Sequence, residues 1–242
     1  MELKICHLYS DVMNLSCDRG NLICMEKRLQ WRGIQVEIVP VNMGDTLNAD
    51  DYDLIFIGNG QPYTQPLLLE DLRQYKANAL RDAVEANVPV LAIDGGYELL
   101  GKTYETADGQ KLEGIGVLDI ETKCGQKRLV GNCAFACEEL DTILVGFENH
   151  AGQTTLGNGV RPLGKVLAGG GNNGTDGTEG ARYKNVFASY AHGSLLPKNP
   201  VLCDHVLKLA LERKYGEVEL QPLDDAIETA AHDYMVKRLT AN

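Results

Sequence analysis

Val88-Pro-Val-Leu-Ala-Ile93, followed without a spacer by Asp94-Gly95-Gly96 and then Tyr97-Glu-Leu-Leu-Gly101, decides the fold. The apolar run is too short for a helix and ends in residues suited to a sharp turn. It reads as a buried strand, a tight elbow and a helix start. A strand that is apolar at every position is covered on both faces, which is the signature of a parallel sheet. The same pattern extends upstream. Asp53–Ile57 is a short apolar strand running into Gly58-Asn59-Gly60, and Leu68–Asn87 has helical spacing through Leu69, Leu72, Leu80 and Val84. Leu3–Leu8 and Val36–Val41 read as strands, with a helix over Asn21–Trp31 between them that Gly33 stops. Strands alternating with helices imply right-handed parallel crossovers.

Downstream the pattern changes. Val117–Glu121, Lys127–Val130, Thr142–Phe147 and Leu163–Val166 look like strands separated by turns, and the glycine-rich stretch Gly169–Gly180 reads as a loop or hairpin end. Val186–Tyr190 is a late strand that leads into Ala191-His192-Gly193, and two helices follow over Asn199–Tyr215 and Asp224–Leu239. No repeat or low-complexity linker divides the chain, so one α/β domain over 1–242 is the simplest reading.

The 242 residues suffice for a substantial core, and 44% hydrophobic with 24% charged residues is ordinary for a soluble protein. A net charge of −11, from 34 acidic and 23 basic residues, argues against nucleic acid and against an anionic membrane surface. The N-terminus lacks a signal-peptide pattern and no run is apolar enough to cross a bilayer, so membrane insertion is not expected. Seven cysteines without a CxxC pair read as reduced thiols of a cytoplasmic protein. Cys133 and Cys137 have half the spacing of a metal site but no second ligand pair follows, and no metal is expected.

Three strand ends carry candidate chemistry. The elbow displays Asp94 at the carboxyl end of the sheet, with small neighbours that let a substrate approach and a helix N-terminus behind it. The alternative is a plain helix cap, since Asp is a favoured N-cap residue. His192 ends another strand and is a candidate general base, or else a hydrogen-bonded structural histidine. Gly58-Asn59-Gly60-Gln61 ends a third; its amides can form an oxyanion hole, or it is an ordinary βα turn.

These segments, together with His7-Leu-Tyr, Asp18-Arg-Gly-Asn21, Gly146-Phe-Glu-Asn-His150, Gly171-Asn-Asn-Gly174 and the run Gly180 to Pro200, resemble the class I glutamine amidotransferases. The likeness covers nearly the whole chain and is to the cobyric-acid-synthase-like branch, above all the amidotransferase subunits of lipid II isoglutaminyl synthases. It implies a flavodoxin-like, mostly parallel α/β sheet with helices on both faces. It also implies glutaminase chemistry: a cysteine thiolate attacks the side-chain amide of L-glutamine, histidine protonates the ammonia, and water releases glutamate. The ammonia would pass to a Mur-ligase-like synthetase partner that uses ATP and magnesium to amidate D-glutamate of the lipid II stem peptide in peptidoglycan synthesis. No cofactor is expected on this chain. By this resemblance position 94 is the nucleophile position, His192 the base, Gly60 and Gly95 the oxyanion donors, and Arg128 and Gln61 substrate-binding residues. Read from the sequence alone, Arg128 can equally be a solvated charge beside Lys127.

The departures from the family pattern gather around the site. Asp94 stands where the family has cysteine, Glu98 where it usually has glutamine, and Asn59 interrupts a run usually made of three glycines. Cys17, Gln153, Ser194 and the stretch Pro62-Tyr63-Thr64 are further exceptions. A carboxylate is a weak nucleophile toward an amide, so glutaminase activity is expected to be nearly absent. The helix N-terminus is expected to keep Asp94 ionised. Glu148, Asp18 or a carboxylate of the partner would orient His192. Competing readings are a non-catalytic scaffolding or regulatory subunit, a hydrolase using Asp94 as nucleophile, and an amidotransferase of a cobalamin-type pathway.

Overall fold

The structure, a computed structural model, describes residues 1–241. The first half alternates strand and helix as its apolar spacing requires: β1 (Glu2–Leu8), α1 (Arg19–Gln30), β2 (Gln35–Val41), β3 (Leu54–Ile57), α2 (Gln65–Asp71), α3 (Ala77–Glu85), β4 (Val90–Ile93) and α4 (Gly95–Leu99). The second half contributes β5 (Thr103–Glu105), β6 (Lys111–Glu113), β7 (Ile120–Cys137), β8 (Thr142–Leu156), β9 (Gly164–Ala168), β10 (Thr178–Glu179), β11 (Ala181–Tyr183) and β12 (Val186–Ser189). Three helices close the chain: α5 (Leu195–Lys198), α6 (Pro200–Tyr215) and α7 (Ala226–Thr240).

The central sheet runs β11-β12-β4-β3-β1-β2 and is parallel except for β11. Alternate residues of one strand point to opposite faces, and both faces are covered. Ile55 and Ile57 pack with Leu68, Leu72, Leu80 and Val84, whereas Leu54 and Phe56 pack with Leu22, Met25, Leu29, Val206 and Leu207. That explains why β3 and β4 carry no polar residue: either face would be buried. The mostly parallel α/β sheet read from the sequence is the one observed.

Two elements differ from the sequence reading. The helix expected over 68–87 is two helices joined by a wider turn at Leu72–Lys76, where the buried Lys76 ammonium meets Asp71, itself bonded to the Tyr9 hydroxyl. Such widened turns are rare and occur mostly as single-turn bulges within helices. The separate strands expected at 127–130 and 142–147 belong to one long hairpin, β7 with β8, in a second sheet of order β10-β9-β7-β5-β6. Its register shifts between Cys124 and Leu129, so no single alternation runs through it. The turn end of the hairpin, through Phe135 and Leu144, joins the apolar cluster under α1 and α6.

Candidate active site

Parallel pairing aligns the carboxyl ends of three neighbouring strands. Ile57 of β3 lies beside Ala92 of β4, and Ser189 of β12 lies beside Ile93. Whatever follows each strand therefore meets at one edge, where open α/β sheets bind ligands. Here the followers are Gly58-Asn59-Gly60, Asp94-Gly95 and Tyr190-Ala191-His192.

Asp94 holds φ +49° and ψ −109°, a strained conformation for a residue with a side chain. Its amide continues the ladder by donating to Ser189 O at 2.9 Å, but its carboxylate caps nothing. The capping account is thereby excluded. Gly96 completes the elbow: a β-carbon there would lie 2.6 Å from Ile57 O and 2.8 Å from Gly58 O, so only glycine lets α4 start this close to β3.

His192 is fixed from its backbone. It exchanges hydrogen bonds with Phe147 of β8, donating at 2.8 Å and accepting at 3.3 Å. Its Nε2 lies 3.8 Å from Asp94 Oδ2, too far for a hydrogen bond. Both ring nitrogens are buried without a partner among the described residues. Burial, reinforced by Lys198 and Arg128, pushes the imidazole down to about 4. A neutral ring at pH 7 suits a proton acceptor.

The surroundings of Asp94 oppose the expected ionisation. Burial, then Glu98 and Asp18, push its carboxyl well above the usual range, against a smaller opposing pull from Arg128. A five-residue helix supplies too small a dipole to offset this. Burial thus works against charge on both Asp94 and His192, raising the carboxyl and lowering the imidazole, and at 3.8 Å the two are not hydrogen-bonded. Glu98 is raised by burial to about 7; its oxygens accept from Gln65 Nε2 and, at 3.1 Å, from the Tyr190 hydroxyl. Gln65 was not singled out in the sequence, because nothing local marks a glutamine that turns back onto α4.

Gly60 and Gly95 are brought together: the site of a β-carbon on Gly95 is 3.4 Å from Gly60 N. The two supports proposed for His192 are engaged elsewhere. Glu148 accepts from the amides of Gly170 and Gly171 at 2.6 and 3.0 Å, and the buried Asp18 accepts from Asn59 N and Asn21 Nδ2. Arg128 sits in the irregular part of β7, exposed, with its guanidinium on Asn149 Oδ1 at 3.0 Å and Asn149 O at 2.6 Å. Its charge is nonetheless felt by Asp94, Glu98 and His192, which places it at the rim of the site. Gln61 is exposed, its carbonyl accepts from Thr64, and no hydrogen bond among the described residues brings its side chain into the group. Sequence reasoning also missed Met13, which is buried against the Gly58-Asn59-Gly60 turn together with Asp18.

Residues 4–200 match the family described as the CobB/CobQ-like glutamine amidotransferase domain. The chain is 40% identical to the lipid II isoglutaminyl synthase (glutamine-hydrolyzing) subunit GatD of Staphylococcus aureus, over 98% of this chain and 96% of that one. It is 36% identical to the subunit of the same name from Streptococcus pneumoniae, over 96% and 90%. A probable cobyric acid synthase of Methanothermobacter thermautotrophicus is 33% identical over 82% of this chain but only 40% of its own. Among solved structures, PurLQS of Thermotoga maritima superposes with a TM-score of 0.61 at 18% identity, covering 88% of this chain and 99% of that one. A glutamine amidotransferase from the same organism gives 0.53 at 13%, covering 99% of each. At such identities the likeness is one of fold.

Proposed function

The chain belongs to the CobB/CobQ-like glutamine amidotransferase family, and on that premise we propose that it is the amidotransferase subunit of a lipid II isoglutaminyl synthase whose own glutaminase step is silenced at Asp94. The observation that carries the reading is the meeting of Asp94, His192 and the Gly60 and Gly95 amides at one sheet edge, in a chain similar end to end to two such subunits. The partner is a Mur-ligase-like synthetase that holds ATP and magnesium and amidates D-glutamate of lipid II.

With cysteine at position 94, neutral His192 would accept the thiol proton as sulfur attacks the amide carbon. The Gly60 and Gly95 amides would hold the oxyanion, and the imidazolium would return the proton to the departing ammonia. Asp94 breaks this sequence at its first step. A protonated carboxyl has no nucleophilic lone pair comparable to a thiolate, and its conjugate base would add negative charge beside the oxyanion. A scaffolding role, stabilising the synthetase that then uses free ammonia, is favoured by that same residue.

Glutamate release from L-glutamine, with the synthetase partner present, separates the readings. Asp94→Cys is expected to raise the rate by roughly a thousandfold or more over the parent. Turnover by neither form would leave scaffolding as the function. Turnover by the parent equal to that of the cysteine form would sink this account of position 94.

A further inference from the structure

Asn59 departs from a family run of glycines, and its side chain reaches into the space between the two candidate oxyanion donors. Its Oδ1 accepts from the Gly95 amide at 3.3 Å, and its Nδ2 donates to Ser16 Oγ at 3.1 Å. The backbone is held as well: Asn59 N donates to the Asp18 carboxylate, and Asn59 O accepts from Leu15 N at 3.0 Å. The site of a β-carbon on Gly95 is 3.2 Å from Asn59 Oδ1 and 3.5 Å from Met13 Cε, so the carboxamide and Met13 together cover the hollow beside Gly60 N. Asp94 and His192 beneath it are only 6% and 5% exposed.

The Gly95 amide follows the nucleophile position directly, and that amide is the one an elbow aims at a developing oxyanion. Asparagine ends in the same primary carboxamide as glutamine. We propose that Asn59 is an internal competitor for the substrate carboxamide: its oxygen takes the Gly95 donor, and glutamine seats productively only when the side chain turns away. This rests on the glutamine reading of the site. Asn59 thereby sets the affinity for glutamine without reacting, and Ser16 acts through it by anchoring the amide nitrogen. Ser16 and Cys17 both hold left-handed backbone, at φ +56° and +66°, so the loop bearing the anchor is bent sharply toward the turn.

The test uses the full chain and L-glutamine, and binding can be read without turnover. By calorimetry, Asn59→Ala is expected to bind glutamine roughly three- to tenfold more tightly than the parent, the worth of one neutral hydrogen bond. Ser16→Gly, which suits φ +56° and removes only the anchor, should shift affinity the same way by less, and it stands in if Asn59→Ala does not fold. The Gly95 amide resonance should move on Asn59→Ala before any ligand is added, and should move in the parent when glutamine binds. In the Asp94→Cys background the glutamine KM should fall by the same factor. If Asp94→Cys turns over with a KM indifferent to residue 59, competition is wrong and the amidotransferase reading stands. An unmoved Gly95 resonance in Asn59→Ala overturns the contact itself. Absence of glutamine binding in all three proteins, with no turnover by Asp94→Cys, overturns the proposal together with the reading beneath it.

Discussion

Two of the places where the protein withdraws acids from solvent treat them in opposite ways. Between α1, α6 and the start of α7, Arg28 spans two carboxylates: Nε and Nη2 bond Asp204 at 2.6 and 2.7 Å, while Nη1 and Nη2 bond Asp225 at 2.6 and 2.8 Å. Arg32 adds two more bonds to Asp204, at 3.0 and 2.6 Å. Burial alone would raise Asp204, but the two guanidiniums outweigh it and bring the carboxyl below its ordinary value. At the sheet edge, Asp18, Asp94, Glu98 and Glu179 are buried and all four are raised, with burial the leading cause each time. Withdrawal from solvent pushes the acids upward in both regions, although Asp204 and Asp225 are only half-buried. What differs is the supply of cations, and groups left uncompensated are the mark of a site and not of a staple.

The cluster at Arg28 should be the costlier to disturb. Arg28→Ala strands Asp225 and halves the partners of Asp204, and it is expected to cost about 3 kcal/mol. Urea unfolding reads the loss, and proteolysis within 226–240 should accelerate because Asp225 ties the start of α7 to α1. A loss under about 0.5 kcal/mol, typical of a solvated surface pair, would collapse the distinction between the two regions.

The sheet edge should respond to pH instead. Glu98 rises from an ordinary value of 4.5 to about 7. The folded state then keeps a proton that the unfolded state gives up, so this group lowers stability as pH climbs from about 4.5 to about 7. Glu98→Gln removes that slope. Gln65 can receive the new amide, since its Oε1 is buried without a partner among the described residues. The variant is expected to gain about 2 kcal/mol at pH 8 and little near pH 4.5, measured by urea unfolding at both. An equal gain at both pH values would assign the effect to packing, and a loss at pH 8 would mean that Glu98 is held ionised.

The same contrast explains what was legible beforehand. β3, β4 and β12 could be read because both faces are buried and each run ends in small or turn-forming residues, which placed Asp94, His192 and Gly60 at one edge. The upward push on the Asp94 carboxyl could not be read. The helix N-terminus is visible in the sequence and pulls one way, whereas burial, the largest push the other way, and the approach of Asp18 arise only through folding and add to the nearby Glu98. The direction of Asn59 depends on where Ser16 and Leu15 lie, forty-odd residues away in the chain. The β7–β8 hairpin was read in fragments because its register shift breaks the alternation that announces a strand.

Arg128 offers the finest test of the comparison. Arg28 is committed to two carboxylates, but Arg128, at the rim, bonds the neutral Asn149 and keeps its charge available. An exposed guanidinium so placed can still receive the α-carboxylate of an incoming amino acid as a two-point contact, which a lysine ammonium cannot reproduce. In the Asp94→Cys background, Arg128→Ala is expected to raise the glutamine KM by about tenfold with kcat little changed, because the contact is made equally before and during reaction. Arg128→Lys should recover part of that loss, in proportion to charge without the fork. If KM is unmoved by either change, Arg128 is a solvated neighbour of Lys127, and the sheet edge holds its buried acids without the ligand-binding cation that distinguishes a receptive site from a merely acidic one.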